Sequence, residues 1–117
     1  MSGMVEQFIK KYTPLLISNV EAFLIDRITS NEFKAFLNKL DNEWVDIPLE
    51  EAQIPYLPTE SEFWLLTSMS KASVSPELDV VHNAVAIKEM RDALQYLSNG
   101  GKLPDGYSGR RPLGNKP

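Results

Sequence analysis

The sequence predicts an all-α fold, a small antiparallel four-helix bundle. Apolar residues recur at steps of three and four in separate stretches, and these stretches are bounded by residues typical of helix starts and ends. The chain has 117 residues, of which 43% are hydrophobic and 24% are charged. Such a composition is that of an ordinary globular protein, and the length fits one domain. We assign this domain to residues 1–101.

The first two helices are predicted to form an antiparallel hairpin. Thr13 followed by Pro14 is typical of a helix start, and residues 4–11 form either a separate short helix or the first turns of the same one. The apolar stripe of this helix is Ile17, Val20, Leu24 and Ile28. Thr29 and Glu32 have the spacing of a capping box that opens the second helix. Because the turn is short, the second helix should fold back on the first with Phe33, Phe36, Leu37, Leu40 and Trp44 on one face.

The second half of the chain is predicted to contain a long loop and two more helices. Three prolines make residues 45–58 a loop, with one short extended piece around Val45 to Leu49. Thr59 and Glu62 repeat the capping-box spacing before a third helix, for which a short strand is the alternative. Ser75, Pro76 and Glu77 open a fourth helix that ends at "SNGG", residues 98–101. Its stripe is Val80, Ala84, Ile87, Met90, Leu94 and Leu97.

Residues 102–117 are predicted to form a flexible basic tail, because they are rich in glycine and proline and poor in core formers. The tail has a net charge of +3, which leaves residues 1–101 with eight basic and fifteen acidic residues, or −7. An acidic body is poorly suited to bind nucleic acid directly and better suited to meet a basic surface. Arg110 and Arg111 are interpreted as solvating charge, with an acidic partner as the alternative.

The sequence offers little chemistry for an enzyme, and we expect no catalytic residues and no cofactor. The chain has no cysteine, which excludes disulfides, thiolate nucleophiles and cysteine metal sites. The single histidine, His82, lies off the apolar stripe of its helix, so it is interpreted as a surface residue, with a general base as the alternative. A calcium loop starting at Asp41 and Glu43 fails because Ile47 and Pro48 stand where the turn should be.

No signal peptide and no membrane span are expected. The first 16 residues include the acid Glu6 and have no unbroken apolar region. No apolar run approaches the roughly 20 residues that cross a bilayer. Together with the absence of cysteine, this favours a cytoplasmic protein without contact to a membrane. Trp44 and Trp64 are interpreted as core residues, with interface anchors as the alternative.

The most unusual feature is the acidic segment, which we define as residues 40–63. No lysine or arginine occurs between Lys39 and Lys71. Like charges without relief destabilise a fold, so their concentration suggests that a basic partner covers them, although a solvated loop is the alternative. Prolines lower the entropy that such a loop loses on binding. The predicted partner-binding residues are Asp41, Glu43, Asp46, Glu50, Glu51, Glu60 and Glu62.

Residues 19–44, "NVEAFLIDRITSNEFKAFLNKLDNEW", resemble the opening helical hairpin of the colicin D-type bacterial self-protective immunity proteins. The pattern that carries the resemblance is Phe23, Leu24, Ile28, Glu32 and Phe33. It implies a small cytosolic four-helical protein that binds the nuclease domain of a cognate toxin, in the type case one that cuts tRNA, and covers its basic substrate site with acidic groups. The resemblance ends at Trp44, so the predicted binding residues are chosen from charge clustering alone.

The sequence therefore favours an immunity or inhibitor protein that neutralises a toxin nuclease. The main alternative is an acidic adaptor or regulatory module that binds a protein partner but blocks no nuclease. An enzyme that uses His82 or a carboxylate is a third hypothesis, and replacement of His82 would separate it from the other two.

Overall fold

The computed structural model describes residues 3–74, 80–99 and 109–110. Within them the chain forms helices and loops without a strand, so the predicted all-α class is confirmed. The helices are α1 (Met4–Leu24), α2 (Ser30–Val45), α3 (Glu60–Ser73) and α4 (Val80–Asn99). The chain divides into two compact units, the first built on α1 and α2 up to Leu57 and the second on α3 and α4 from Pro58. The single four-helix bundle stays a prediction.

Helix α1 is one continuous helix, so residues 4–11 belong to it, as one of the two predicted possibilities had it, whereas the predicted start at Thr13 is wrong. Pro14 lies inside the helix on its exposed side. Thr13 is an interior residue of the helix, and its Oγ1 donates a hydrogen bond to the carbonyl oxygen of Ile9, four residues earlier, at 2.7 Å. The predicted stripe is also displaced: of its members only Val20 is buried, and the buried face begins at Val5 instead of Ile17. The buried residues of α1 are Val5, Phe8, Ile9, Tyr12, Leu16 and Val20.

The predicted hairpin of α1 and α2 is confirmed. Thr29 Oγ1 accepts from the Glu32 backbone N–H at 3.1 Å, and the Glu32 carboxylate accepts from the Thr29 N–H at 3.0 Å, which completes the capping box. Near the turn, Phe23 stacks on Phe33 with ring centroids 4.6 Å apart. At the other end Phe8 meets Trp44 at 5.4 Å, so the helices run antiparallel. The predicted face of α2 is buried at Phe33, Leu37, Leu40 and Trp44.

The predicted long loop follows α2, but the extended piece predicted around Val45 to Leu49 is wrong. Val45 still belongs to α2, and the chain then turns, with the Ile47 N–H bonded to the Trp44 carbonyl at 3.0 Å. A further turn forms where Ala52 N–H bonds to the Pro48 carbonyl at 3.2 Å. Ile47 is 4% exposed and anchors the start of this loop in the core of the first unit. The acids around Ile47 are thereby held close to the end of α2.

Helix α3 is present, so the strand alternative is wrong, but the predicted Thr59 capping box does not form. Thr59 has a left-handed backbone with φ 66° and makes no side-chain cap hydrogen bond. Ser70 on α3 donates from Oγ to Met90 Sδ on α4 at 3.3 Å. The predicted stripe of α4 is buried at Met90 and Leu97, whereas Ala84 is exposed. The buried face also includes two alanines outside the predicted stripe, Ala86 and Ala93.

Gly109 is a buried part of the second unit. A Cβ at this position would overlap the Ser61 carbonyl oxygen and the Leu65 nitrogen, so the chain here lies directly against the backbone of α3. Only glycine permits such a close approach. The rest of the predicted tail, residues 102–108 and 111–117, lies outside the described residues, as do the predicted helix start at Ser75 to Glu77 and the end signal at Gly100 and Gly101.

Candidate acidic interface

The structure divides the seven predicted binding residues between the two units. Five lie in the first unit, on the last turns of α2 and in the loop that follows: Asp41, Glu43, Asp46, Glu50 and Glu51. Glu60 and Glu62 lie on the first turn of α3 in the second unit. The acids of the acidic segment therefore belong to two different units, and the two groups have different surroundings.

Three of the acids, which we call the exposed triad, are Asp46, Glu50 and Glu51. All three are solvent-exposed, and no ion pair within the described residues involves them. Asp46 is the C-cap of α2, and the last turn of this helix carries no basic residue. The C-terminal end of a helix has partial negative charge, so acids there are unfavourable and cations are favourable. The placement of Asp46 therefore does not serve the stability of α2.

Glu43 has a cationic partner that the sequence did not reveal. Both of its carboxylate oxygens accept hydrogen bonds from Lys11 Nζ on α1, at 3.0 and 3.1 Å. The Tyr12 hydroxyl and then the Lys11 ammonium lower the pKa of Glu43 below its ordinary value of 4.5. The expectation that every acid of the segment lacks a counter-ion is wrong at this position. The two residues are 32 positions apart, and only the hairpin brings them together.

Tyr12 supports Glu43 from the core side. Its side chain is 1% exposed, and the ammonium of Lys11 lies 5.2 Å from the centroid of its ring. The buried hydroxyl acts on Glu43 but has no partner that meets the geometry of a full hydrogen bond. Burial first and the Glu43 carboxylate second raise the pKa of Tyr12 above its ordinary value of 10.0. A buried donor without a good acceptor costs free energy, which makes this position unusual within the core.

A groove of about 270 Å³ lies at this end of the α1–α2 hairpin. Its apolar lining comes from Met4, Phe8 and Ile47, and its polar lining from Gln7, Lys11, Glu43 and Asp46. Met4 is 43% exposed, whereas Phe8 and Ile47 are almost fully buried and form a firm floor. The groove thus combines two carboxylates with an apolar surface, an arrangement that suits an amphipathic cation.

Glu60 and Glu62 have a structural explanation. Glu60 is 0% exposed, and its Oε2 accepts a hydrogen bond from Trp64 Nε1 at 2.9 Å. Glu62 is 8% exposed. Both lie on the first turn of α3, where the helix macrodipole stabilises negative charge. Neither is placed to meet a partner on the surface of this unit, so they fall outside the candidate interface.

Other predicted candidates are placed as follows. Trp44 and Trp64 are each 1% exposed, which confirms their interpretation as core residues. Arg110 is exposed, whereas Arg111 and the side chain of His82 lie outside the described residues. Among the side chains that the structure describes, no group of three or more histidine or acidic residues is arranged to hold a metal ion.

No helix in the part of the chain that the structure describes combines the length and the apolar character that a bilayer crossing needs.

No protein-family model, curated protein or solved structure matches the chain. The resemblance of residues 19–44 to immunity proteins therefore stays a prediction. The residues of the candidate interface that the sequence did not indicate are Lys11 and Tyr12 on α1, together with the apolar floor of the groove. A helical wheel of α1 that began at Met4 would have placed Phe8, Lys11 and Tyr12 on neighbouring positions.

Proposed function

We propose that the chain is an immunity or inhibitor protein for a cognate toxin nuclease, such as one that cuts tRNA. It binds a basic surface of the nuclease and blocks the access of the nucleic-acid substrate to it. The observation that carries this proposal is the exposed triad at the C-terminal end of α2. Its carboxylates make no ion pair among the described residues, and Asp46 stands at the C-cap of α2, where a helix favours cations. Such an arrangement is understandable if the charges serve a partner instead of the fold.

The position of the triad also suits tight and fast association. Asp46 follows a helix that is anchored by its buried residues, and Ile47 fixes the first residues of the loop. Carboxylates on such a support lose little freedom on binding. Close charge pairs across an interface can couple by about 1.5–7 kcal/mol, and complementary charge raises the association rate. A nucleic-acid-binding groove supplies the clustered lysines and arginines that this surface needs.

The sequence-based expectations of a cytoplasmic location, a single four-helix bundle and no direct contact with nucleic acid or membrane belong to this proposal. Under it the chain blocks its target by occupying the substrate site and needs no catalytic residue or cofactor. Replacement of His82 by alanine should then leave inhibition unchanged. An adaptor or regulatory module without a nuclease partner remains the alternative, since it would use the same acidic surface.

The test uses the C-terminal domain encoded directly upstream, where an immunity gene would have its toxin. Binding and nuclease inhibition are measured for the wild type and for the triple variant Asp46→Asn, Glu50→Gln and Glu51→Gln. We expect inhibition by the wild type and at least about tenfold weaker binding by the variant, since each ion pair contributes up to about 1 kcal/mol even when exposed.

The matched control is the triple variant Glu21→Gln, Asp26→Asn and Asp92→Asn. These three acids are also exposed, so the control changes the net charge equally but leaves the candidate interface intact. We expect its binding to stay close to that of the wild type. Equal loss in both triple variants would reduce the effect to overall charge. Binding without inhibition would favour the adaptor, and the absence of both would overturn the proposal for this partner.

A further inference from the structure

Two helices of the chain begin with the same pattern of residues but with different backbones. Residues 29–33, "TSNEF", and residues 59–63, "TESEF", share threonine, glutamate and phenylalanine at the same spacing. In both, the threonine carbonyl accepts from the N–H of a buried phenylalanine at 3.0 Å. Thr29 has φ −80° and forms the capping box with Glu32, whereas Thr59 has φ 66° and makes no side-chain cap hydrogen bond. The pattern therefore allows a capping box at both places, and another contact prevents it at Thr59.

The left-handed backbone of Thr59 is unfavourable in itself. Residues other than glycine seldom adopt it, and for a β-branched residue it is a true outlier. Such a conformation persists only where the surrounding structure enforces it. Pro58 does not enforce it, because a proline restricts the backbone of the residue before it and not of the residue after it. The cause therefore lies outside the local sequence.

The chain at Gly109 makes the contact that can enforce this conformation. A Cβ at Gly109 would overlap the Ser61 carbonyl oxygen and the Leu65 nitrogen. Gly109 is itself buried, so its backbone lies directly against α3. Ser61 belongs to the first turn of α3, two residues after Thr59. A backbone held so close to this turn restricts how the preceding chain enters the helix, and it can thereby keep Thr59 out of the capping box.

We propose that the start of α3 is a two-state latch. In the latched state, which the structure shows, Gly109 lies against Ser61 and Leu65, and Thr59 is held in its left-handed conformation. In the released state Gly109 leaves α3 and Thr59 takes the extended conformation of an ordinary N-cap. Its Oγ1 then accepts from the Glu62 N–H, and the Glu62 carboxylate accepts from the Thr59 N–H. Each state has contacts that the other lacks, which is the basis of a bistable element.

The latch links the segment around residue 109 to the acidic segment. Thr59 lies in the acidic segment, next to Pro58, where the second unit begins. Any process that draws Gly109 away from α3 shifts the population toward the released state and changes the backbone at residue 59. This device is built from the chain alone, so it does not rest on the proposed function.

NMR of the isotopically labelled full chain tests the latch directly. A left-handed residue gives a strong intraresidue NOE between its amide and Hα protons, and we expect this signal for Thr59 in the wild type. Gly109→Ala should weaken it and should slow hydrogen exchange of the Glu62 amide about fivefold, because that amide gains an acceptor. Destabilisation alone would speed exchange instead. Gly3→Ala, whose Cβ meets nothing within 4 Å, is the control and should change neither signal.

Thermal unfolding gives a second measurement. Thr59→Gly relieves the backbone strain and should raise the midpoint by about 2 °C or more. Thr29→Gly is the matched control and should lower the midpoint, because it removes a capping box that is formed. When Gly109→Ala is already present, Thr59→Gly should also lower the midpoint, since the capping box then exists at both helices. Such a change of sign is the non-additivity expected of residues that act on one element.

Three results would each overturn the latch: a weak intraresidue NOE for Thr59 in the wild type, faster exchange of the Glu62 amide in Gly109→Ala, or the same effect of Thr59→Gly in both backgrounds. If Gly109→Ala does not fold, the wild-type NOE and the opposite signs of Thr59→Gly and Thr29→Gly decide, and equal signs overturn the latch. No toxin is used, so failure of the latch leaves the proposed function standing, and failure of the proposed function leaves the latch standing.

Discussion

The two groups of acids in the acidic segment differ in position although the sequence presents them as one run. Asp46, Glu50 and Glu51 lie at and beyond the C-terminal end of α2, exposed and without ion pairs in the described chain. Glu60 and Glu62 lie at the N-terminal end of α3 and are buried. A helix stabilises acids at its N-terminus and opposes them at its C-terminus. The second group therefore serves the fold, and the first group is the one that the proposed function assigns to a partner.

The largest expected effect comes from Glu60→Ala. This change leaves the buried Trp64 Nε1 without the acceptor it has at 2.9 Å and opens a cavity around a side chain that is 0% exposed. We expect the free energy of unfolding to fall by about 2–4 kcal/mol, as measured by urea denaturation. Glu50→Ala serves as the matched control and should stay within about 0.5 kcal/mol of the wild type. Similar losses for both would remove the distinction between the two groups.

The next effect tests the surroundings of the α3 acids. Gly109→Ala places a methyl group against the Ser61 carbonyl and the Leu65 nitrogen, which belong to helix backbone and cannot turn away. We expect a loss of about 1–3 kcal/mol, typical of an overpacked site, in the same denaturation experiment. The control is Gly3→Ala, because a Cβ at Gly3 meets nothing within 4 Å. An unchanged stability of Gly109→Ala would show that residue 109 does not lie against α3 in solution.

A smaller effect of opposite sign is expected from the exposed triad. The triple variant Asp46→Asn, Glu50→Gln and Glu51→Gln removes one negative charge from the C-cap of α2 and two from the loop beyond it. The free energy of unfolding should rise by a few tenths of a kcal/mol at low ionic strength, and salt should screen the difference. Calorimetry at low and high salt measures it. A clear loss of stability would mean that these carboxylates have partners within the folded chain, contrary to their assignment as binding residues.

The smallest effect concerns pH and separates Glu43 from the exposed triad. Tyr12 and Lys11 lower the pKa of Glu43 in the folded chain, so its contribution to stability is present above the unfolded value near 4.5 and is lost as the pH falls through the folded pKa. The stability difference between the wild type and Glu43→Gln should therefore shrink in acid, as followed by denaturation from neutral pH to about pH 3. Tyr12→Phe removes the largest cause and should bring the pKa of Glu43, measured by NMR, closer to 4.5.

Local signals in the sequence predicted the helical class and the first hairpin well. Thr29 and Glu32 form the predicted capping box because each reaches a backbone group three residues away. The same spacing failed at Thr59, whose left-handed backbone turns the side chain away from the cap position. Pro14 was predicted to begin a helix. It instead lies inside α1, on the exposed side of that helix. Local spacing therefore predicts an interaction only when the backbone conformation permits it.

Only part of the candidate site could be predicted. Its acids lie close together in the sequence, whereas the contacts between α1 and α2 depend on the fold. The run of acids identified Asp46, Glu50 and Glu51, but burial alone distinguished them from Glu60, which has the same chemistry. Lys11 could not be connected with Glu43 from spacing, since 32 residues separate them. Hairpin register, which depends on packing along both helices, brings the two side chains together and creates the groove.

The most direct test of the division between structural and partner-binding acids is the association rate constant with the upstream-encoded domain, measured by stopped flow at increasing ionic strength. We expect the wild-type rate to fall steeply with salt, and the triple variant of Asp46, Glu50 and Glu51 to associate more slowly at low salt with a flatter dependence. The control variant of Glu21, Asp26 and Asp92 should follow the wild type. Identical salt dependence for the wild type and the Asp46, Glu50 and Glu51 variant would contradict the assignment of the exposed triad as the binding surface.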